Sequence, residues 1–598
     1  MALSEMAQEI ANLPDRWGEG TIFAFSGIDG PTETASGFVA TAGSTPYHFL
    51  IHTPRRRCLQ LAHQGEGTVL AATHDTLIVT WSSANAREAH GLTGDDELVA
   101  TCTAWHTLTG QVPKGGYLAL CFEPGSASGA PGETDDEECK ELSSFFQVTW
   151  DPVHKDAVVL ARQGERWALA YGETVNQAKV RTLAVLAREL DEVLVPRLET
   201  YRNLPEIAVP GYARLFRKCV SVMRVNTLGP EGAIQQRWST PDRVPHRHMW
   251  LWDSVFHSFG MNYLDPALAW DFLRAVLERQ RDDGMIPHAM QVDGTTSRIT
   301  QPPILAWGVW ENYQHLHDPD RLAYALPRLE AYLEWNLTHR DANQNGLLEW
   351  FIAETPISRS GESGMDNSPR FDEAIRLDAV DFSTFQALDM ANVARIAAML
   401  GQHDKAAFWQ ERADRMAQRI HEQLWDPAKS FYCDRTMDGE LSPVKAVSGF
   451  LPLMLNTIPE DHTAGLIEHL ENPQTFGSAF PIPSVSLDDP AWSTDMWRGP
   501  TWINFDYLVI QGLLRQGQPD RAKTLRDAVL EYVDKYYQQY GVLFEFYDAK
   551  DEVPPVACDR KGARQTPYDI RVKMDSIRDY HWTAALTAAL LFEDLEGV

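Results

Sequence analysis

LDAVDFSTFQALDMANVARIAAML (377–400), followed after Gly-Gln by HDKAAFWQERADRMAQRIHEQLW (403–425), decides the fold class. The first stretch is rich in Ala and large apolar residues. The second carries apolar positions three and four apart, with Lys, Arg, Asp and Glu between them. A helix that is apolar all round must be buried, and one with a single apolar stripe lies half-exposed against it. Alternation of the two kinds is what two concentric helical layers require. Helical spacing recurs at 211–228, 265–281, 303–317, 320–339, 445–456, 504–516, 518–539 and 576–592. Residues 208–598 therefore predict an (α/α)6 toroid of about twelve helices, which makes the protein mainly α. No strict repeat is visible, so a helical solenoid is disfavoured.

Upstream the period changes. TIFAFSG (21–27), SGFVATA (36–42), YHFLIHT (47–53), TLIVTWS (76–82), LVATCTAW (98–105), YLALCFE (117–123), FFQVTW (145–150) and WALAYGE (167–173) are short, β-branched or aromatic, and bounded by turn residues. Strands without intervening helices predict an N-terminal antiparallel β-sandwich domain over 1–173. PGSASGAPGETDDEE (124–138) reads as a mobile surface loop within it. Helical spacing over 174–200 predicts a linker helix within a 174–207 linker region, before the helical domain at 208–598.

The chain has 598 residues, 44% hydrophobic and 23% charged, which is ordinary globular composition. Its 53 basic against 83 acidic residues give a net charge of −30. Such a surface repels nucleic acid and anionic membranes, so neither is expected as a partner. Nineteen Trp are in excess; flat rings stack on sugar faces, and they also fill cores. Seven scattered Cys, with no CxxC pair, form no zinc or disulfide framework. MALSEMAQEIANL lacks a basic n-region and a long apolar run, and no apolar stretch of membrane-spanning length occurs. A cytoplasmic protein is expected.

Long connections rich in aromatic residues, Gly and Pro separate the helices at 229–256, 282–302, 340–376, 472–503 and 540–575. Connections of this length tend to be functional, and in a helical toroid they gather at one mouth. HRHMWLWDSVFHSFG (246–260) places Trp250, Trp252, Asp253 and His257 together: ring faces for a pyranose and a carboxylate for its hydroxyls, or a buried aromatic cluster with an N-cap. His288 and Gln301 stand at loop ends. Asp366 lies in ESGMDNSPRFD, flanked by Glu362 and Asp372, where like charges and partial burial would raise a carboxyl pKa as a general acid requires. A solvated acidic turn is the alternative. Trp497 and Arg498 precede a helix, and Tyr580, His581 and Trp582 open the last one. Glu545 is the lone carboxylate in FEFY, a costly burial without a role.

Together, WLWDSVFH, QPPILAW, ESGMDNSPR, WRGPTWIN, FEFYD and HWTAA resemble glycoside hydrolase family 63 and the related mannosylglycerate-hydrolase-type domains over roughly 210–595. The resemblance implies an (α/α)6 barrel, often behind a β-sandwich, acting on α-glycosides with inversion. By motif position it implies Asp366 as general acid and Glu545 as general base. Trp252, Asp253, Gln301, Trp497 and Arg498 would line the non-reducing-sugar subsite, and Trp250, His257, His288, Glu362, His581 and Trp582 join them as candidate substrate contacts. The expected function is an inverting exo-acting α-glycosidase, an O-glycosyl hydrolase and most simply an α-glucosidase on small glucosides or oligosaccharides. The rivals are a glycoside phosphorylase on the same barrel, a non-catalytic carbohydrate-binding protein, and a lyase using Tyr580 and His581.

The chemistry needs no cofactor. A structural calcium is a separate expectation. RDANQNGLLEW (340–350) sets Asp341, Asn343 and Asn345 at alternate positions, then Gly346 and Glu349, like the first half of a calcium loop. It lacks the twelfth-position Glu of an EF-hand, and an Asx-rich turn is the alternative.

Overall fold

The computed structural model describes residues 10, 13–33, 38–41, 48–55, 57–63, 67–80, 97–113, 118–122, 144–352, 359–374, 376–563, 574–593 and 595. Two compact units divide the chain. The first takes Met1–Glu231, Asp242–Arg247 and Lys535–Leu543; the second takes Gly232–Pro241, His248–Asp534 and Phe544–Val598.

The first unit is a β-sandwich. Its strands are β1 (Ile22–Phe23), β2 (Phe38–Thr41), β3 (His48–His52), β4 (Cys58–His63), β5 (Thr68–Ala72), β6 (Thr76–Thr80), β7 (Glu97–Ala104), β8 (Thr107–Gln111), β9 (Leu118–Phe122), β10 (Ser144–Asp151), β11 (Asp156–Gln163) and β12 (Arg166–Gly172). They pair antiparallel in two sheets, ordered β1-β2-β3-β4-β9 and β10-β11-β12-β8-β7-β6-β5. Alternate residues face inward, as a pleated strand demands. Leu77 and Val79, Leu98 and Ala100, Val158 and Leu160, Trp167 and Leu169 share one core with Phe23, Phe49, Ile51 and Leu59 of the other sheet. The sequence pattern marks eight of these strands and passes over β4, β5, β8 and β11. The Ala-rich DAVVLARQ of β11 carries no alternation that marks it as a strand. The 124–138 loop lies outside the described residues.

Two helices, not one, follow the sandwich: α1 (Val175–Leu186) and α2 (Leu190–Arg202). Thr174 caps α1 by accepting from Gln177 N at 3.1 Å. α1 covers the outer face of β11 and β12, where Ala178 meets Ala157 and Val159. The first unit also takes α3 (Ala213–Val225), which the sequence boundary at 208 assigns to the helical domain.

The second unit is the toroid. Its helices are α4 (Leu251–Asn262), α5 (Pro266–Leu277), α6 (Leu305–Leu316), α7 (Pro319–His339), α8 (Val380–Met399), α9 (His403–Gln423), α10 (Glu460–Glu471), α11 (Ile503–Arg515), α12 (Pro519–Tyr540, whose end from Lys535 on is counted in the first unit) and α13 (His581–Phe592), with a 3-10 helix at Val447–Met454. The inner ring runs α4, α6, α8, the 3-10 helix, α11, α13 and back to α4, each packed on the next. α5 lies on α4 and α6, α7 on α6 and α8, and α9 on α8. The 377–400 and 403–425 pair is thus an inner and an outer helix, as their composition demands.

The sequence pattern puts 229–256 in a connection, but α4 starts at Leu251. All twelve of its residues are buried, the polar Asp253, Ser254, His257, Ser258 and Asn262 included, so the solvent-facing polarity that marks a surface helix is missing. Inner helices are tied by buried acids. Asp389 of α8 accepts from Ala306 N (2.8 Å) and Trp307 N (3.0 Å), capping α6, and burial pushes its carboxyl well up. Among the described residues no helix is long and apolar enough to cross a membrane.

Candidate active site

Asp366 and Glu545 enter from separate connections of the second unit and meet one short segment. Arg560 donates to both oxygens of Glu545, Nε at 2.9 Å and Nη2 at 3.1 Å, and both side chains are buried. Its neighbour Lys561 forms an ion pair with Asp366. The segment is anchored by Asp495, whose carboxylate accepts from Lys561 N (2.7 Å), Gly562 N (2.8 Å) and Asn367 Nδ2 (3.0 Å). Asn367 also accepts from Trp497 N at 3.0 Å. Asp366, Asn367, Asp495 and Lys561 therefore form one locked circuit.

The Asp366 loop is rigid underneath. The Asp366 carbonyl accepts from Arg359 N (2.9 Å) and Ser360 N (3.2 Å). Four residues on, Arg370 forks to Asp381 (2.6 and 2.9 Å) and Asp434 (2.6 and 2.8 Å) in a fully buried triad. Gly364 has φ +74°, and a Cβ there would lie 2.2 Å from Cζ2 of Trp252. Only glycine lets the loop cross that ring.

The electrostatics correct one expectation. Burial by itself raises the Asp366 carboxyl, but the charge and hydrogen bond of Lys561, with the charge of Arg560, outweigh it and hold it below the usual carboxylate range. The flanking acids do not repel it, because both are neutralised. Glu362 is fully buried, takes the Arg340 fork (2.7 Å at its closest), and accepts from Thr300 N and Phe351 N. Asp372 takes a two-point fork from Arg498 at 2.8 and 2.7 Å. Burial lowers His288 to about 4 against the pull of Asp366, so a neutral imidazole faces the carboxylate at neutral pH.

Several candidate substrate contacts have their polar groups engaged by the protein itself. Glu362 has its acceptors filled. Arg498 spends its fork on Asp372 and on the Asn367 carbonyl (3.1 Å). Gln301 accepts from Trp252 N (3.2 Å) at the start of α4. His257 and His581 stack at 3.7 Å with both rings fully buried, hydrogen-bonded to Ser239 and to the Thr240 carbonyl respectively. Burial lowers both, His581 to about 3, so they are a neutral core pair. Trp497 stacks on Trp502 at 3.7 Å, and Trp252 and Trp582 meet edge-on at 5.6 Å; all four are almost wholly buried. Asp253 is buried on the first turn of α4. Trp250, half-buried and edge-on to His288 at 4.9 Å, is the candidate ring with surface to offer. Sequence reasoning missed Arg560, Lys561 and Asp495; only adjacency to the WRGP and FEFYD segments in space marks them.

The 341–349 loop is a separate polar ring. Asp341 accepts from Gly346 N (3.0 Å), Asn343 from Asn345 N (3.0 Å), Asn345 from Leu347 N (2.8 Å), and Glu349 from Ala342 N (3.1 Å). Asn343 and Asn345 donate to the two oxygens of Asp378, at 3.0 and 2.6 Å. Asp378 is a further acid that the sequence motif does not include. Gly346 has φ +81°, and a Cβ would strike Arg419. The second oxygen of Asp341 is buried without a hydrogen-bond partner. Asp341, Asn343, Asn345, Glu349 and Asp378 carry oxygen donors of the kind calcium takes.

Residues 246–583 match the family described as the mannosylglycerate hydrolase MGH1-like glycoside hydrolase domain. The chain belongs to glycoside hydrolase family 63. The hydrolase is 26% identical to the mannosylglycerate hydrolase of Thermus thermophilus, over 53% of this chain and 92% of that one. It is 22% identical to the glucosylglycerate hydrolase of Mycolicibacterium hassiacum, over 56% and 92%. The crystal structure of a GH63 mannosylglycerate hydrolase from Thermus thermophilus in complex with glucose superposes with a TM-score of 0.51 at 24% identity, covering 63% of this chain and 99% of that one. It shares the fold.

Proposed function

We propose that this hydrolase is an inverting, exo-acting α-glycosidase, with Asp366 as general acid and Glu545 as general base. The observation that carries the reading is the pair of carboxylates from separate connections, held by consecutive residues Arg560 and Lys561. Inversion needs two carboxyls about 6.5–9.5 Å apart, with the attacking water between one of them and the sugar. Two long side chains on adjacent residues suit that spacing. Glu545, ionised against Arg560, takes a proton from water as the water oxygen bonds to the anomeric carbon. Asp366 gives its proton to the glycosidic oxygen as the bond to the anomeric carbon breaks. Trp250 offers the sugar a ring face, and His288, edge-on to it at 4.9 Å, and Asp253 on the helix that Trp250 precedes are polar groups near it.

An α-glucoside is the first choice of substrate. Small α-glycosides such as glucosylglycerate and mannosylglycerate are favoured over polymers, in view of the relatives' names. The loop with Asp341, Asn343, Asn345 and Glu349 is proposed as a structural calcium site, with Asp378 completing the donors; calcium would brace the loop and take no part in the chemistry. Cys58, Cys102, Cys219, Cys433 and Cys558 are buried free thiols, which supports a cytoplasmic setting. The test is hydrolysis of an α-glycoside panel, with and without phosphate, with the product anomer followed by NMR. Release of β-sugar, one terminal residue at a time and independent of phosphate, is expected. Retained α-anomer, phosphate-dependent turnover or early mixed oligomers would sink the reading.

A further inference from the structure

Arg560 and Lys561 treat their carboxylates differently. Arg560 is buried and forks to Glu545 at two points, a rigid arrangement. Lys561 offers a point charge on a flexible stem, and its side chain and that of Asp366 are each about one fifth exposed (22% and 20%). The Lys561 main chain cannot move with the stem, because Asp495 pins two successive N–H groups. So the ammonium can swing while its base stays put.

A general acid must hold a proton when the glycosidic bond breaks. Among the described residues, the charged and titratable groups facing Asp366 are Lys561 and Arg560 from one segment and His288 from another. Arg560 is committed to Glu545, and Glu362 and Asp372 are neutralised by Arg340 and Arg498. Lys561 is the one cation of this set free to leave. We infer that Lys561 is a positioning residue for the reaction. In the free enzyme its ammonium holds Asp366 ionised, and a bound glycoside displaces that ammonium so that Asp366 takes up a proton from water and becomes the acid. The proton that reaches the leaving group comes from solvent through Asp366, not from Lys561.

This rests on Asp366 being the acid, and the experiment separates the two ideas. The basic limb of kcat/KM reports ionisation of the acid in the free enzyme. With the fastest unactivated α-glycoside of the panel, Lys561→Gln should move that limb up by about one to three pH units, the usual effect of removing an opposite charge. Lys561→Arg, which keeps the charge, should hold the limb near its original place. With α-glucosyl fluoride, whose departure needs no proton, Lys561→Gln should leave the limb where it was. An unmoved limb on the glycoside overturns the inference, as does an equal shift on the fluoride. Asp366→Asn is run beside them. If it is inactive on the glycoside and active on the fluoride, the acid assignment holds whatever Lys561 does; if it hydrolyses the glycoside freely, the assignment itself falls.

Discussion

Two charge clusters, one in each unit, look alike in composition and differ in how completely they are satisfied. In the first unit Asp29, Asp75, His74, Arg197 and Arg224 line a cavity of about 370 Å³. Asp75 pairs with Arg197 and accepts from Thr73 and Thr76, and Asp29 pairs with Arg224 at 2.5 Å. His74 sits between the two acids, 3.5 and 3.4 Å away, with Tyr201 on its other nitrogen. Each carboxylate there has its own guanidinium. In the second unit Glu545 is held the same way, but Asp366 pairs with the single ammonium of Lys561. Density of charge does not single out the proposed acid; the less completely held member of the pair does.

Breaking each cluster should therefore give opposite results. The largest effect expected is on turnover: Asp366→Asn should lower kcat on unactivated glycosides by about 10²–10⁴-fold, the usual worth of a proton-transfer group. Its melting temperature should barely move, since the pair it loses is partly exposed. Glu545→Gln should lose turnover on the same scale and also stability, because it leaves buried Arg560 short of a counter-charge. Near-normal turnover in either variant removes that residue from the mechanism.

The first unit should respond in the reverse sense. Asp75→Asn strands Arg197 beside a neutral amide, and breaking a buried pair costs about 3–5 kcal/mol. Denaturant unfolding should show that loss, while kcat stays within a few-fold at temperatures where the variant is folded. A collapse of kcat in a folded Asp75→Asn protein would mean that the first cluster serves the reaction.

A smaller contrast concerns pH. Burial lowers His74 to about 4, so in the folded protein it binds a proton less readily than when unfolded. Its contribution to stability is present above its ordinary value of 6.5 and is lost as pH falls toward 4. Glu593 in the second unit behaves oppositely. Burial raises it to about 7, and Tyr507 and Gln511 hold its oxygens at 2.9 and 2.8 Å. A raised acid stabilises below its unfolded value of 4.5, and that stability is lost as pH climbs to 7. Glu593→Gln should flatten the fall in melting temperature between those limits relative to the parent. Parallel curves for the two proteins would show that Glu593 does not titrate there.

Much of this is legible in the sequence, for identifiable reasons. The 377–400 and 403–425 pair differs in polarity because one helix is walled in and the other faces solvent, and polarity is visible in sequence. The start of α4 is not legible, since its polar residues Asp253, Ser254, His257 and Ser258 are buried like its apolar ones and read equally well as loop residues. Asp366 and Glu545 stand out through their apolar or Gly-rich surroundings. The roles of Glu362, Gln301 and Arg498 are not readable, because their partners Arg340, Trp252 N and Asp372 lie in other connections or face them only after folding. The same limit hides Lys561.

The smallest effect expected is at the 341–349 loop, a third polar cluster that tests the comparison differently. Its acids are not paired with a guanidinium fork; Arg376 stands 3.5 Å from Glu349, about half exposed, and Arg435 acts on Asp378 from the paired strand. Asn343 and Asn345 tie Asp378 to the loop, and one Asp341 oxygen has no hydrogen-bond partner. Asp341 repels Asp378 and Asp378 repels Glu349, although the three do not draw together as tightly as Asp29, His74 and Asp75 do, and a cation on the loop would ease that repulsion. A cation bound only by the folded state stabilises by mass action, about 2.7 kcal/mol at a hundredfold excess over Kd. In a chain of 598 residues that becomes a rise of a few degrees at most. EGTA should therefore lower the melting temperature slightly, and added calcium should restore it. Asp341→Asn should abolish the response to both without touching kcat. If chelation leaves the melting temperature unchanged and elemental analysis finds no metal, the Asn–Asp378 hydrogen bonds alone hold the loop, and incomplete pairing there has no ligand to explain it.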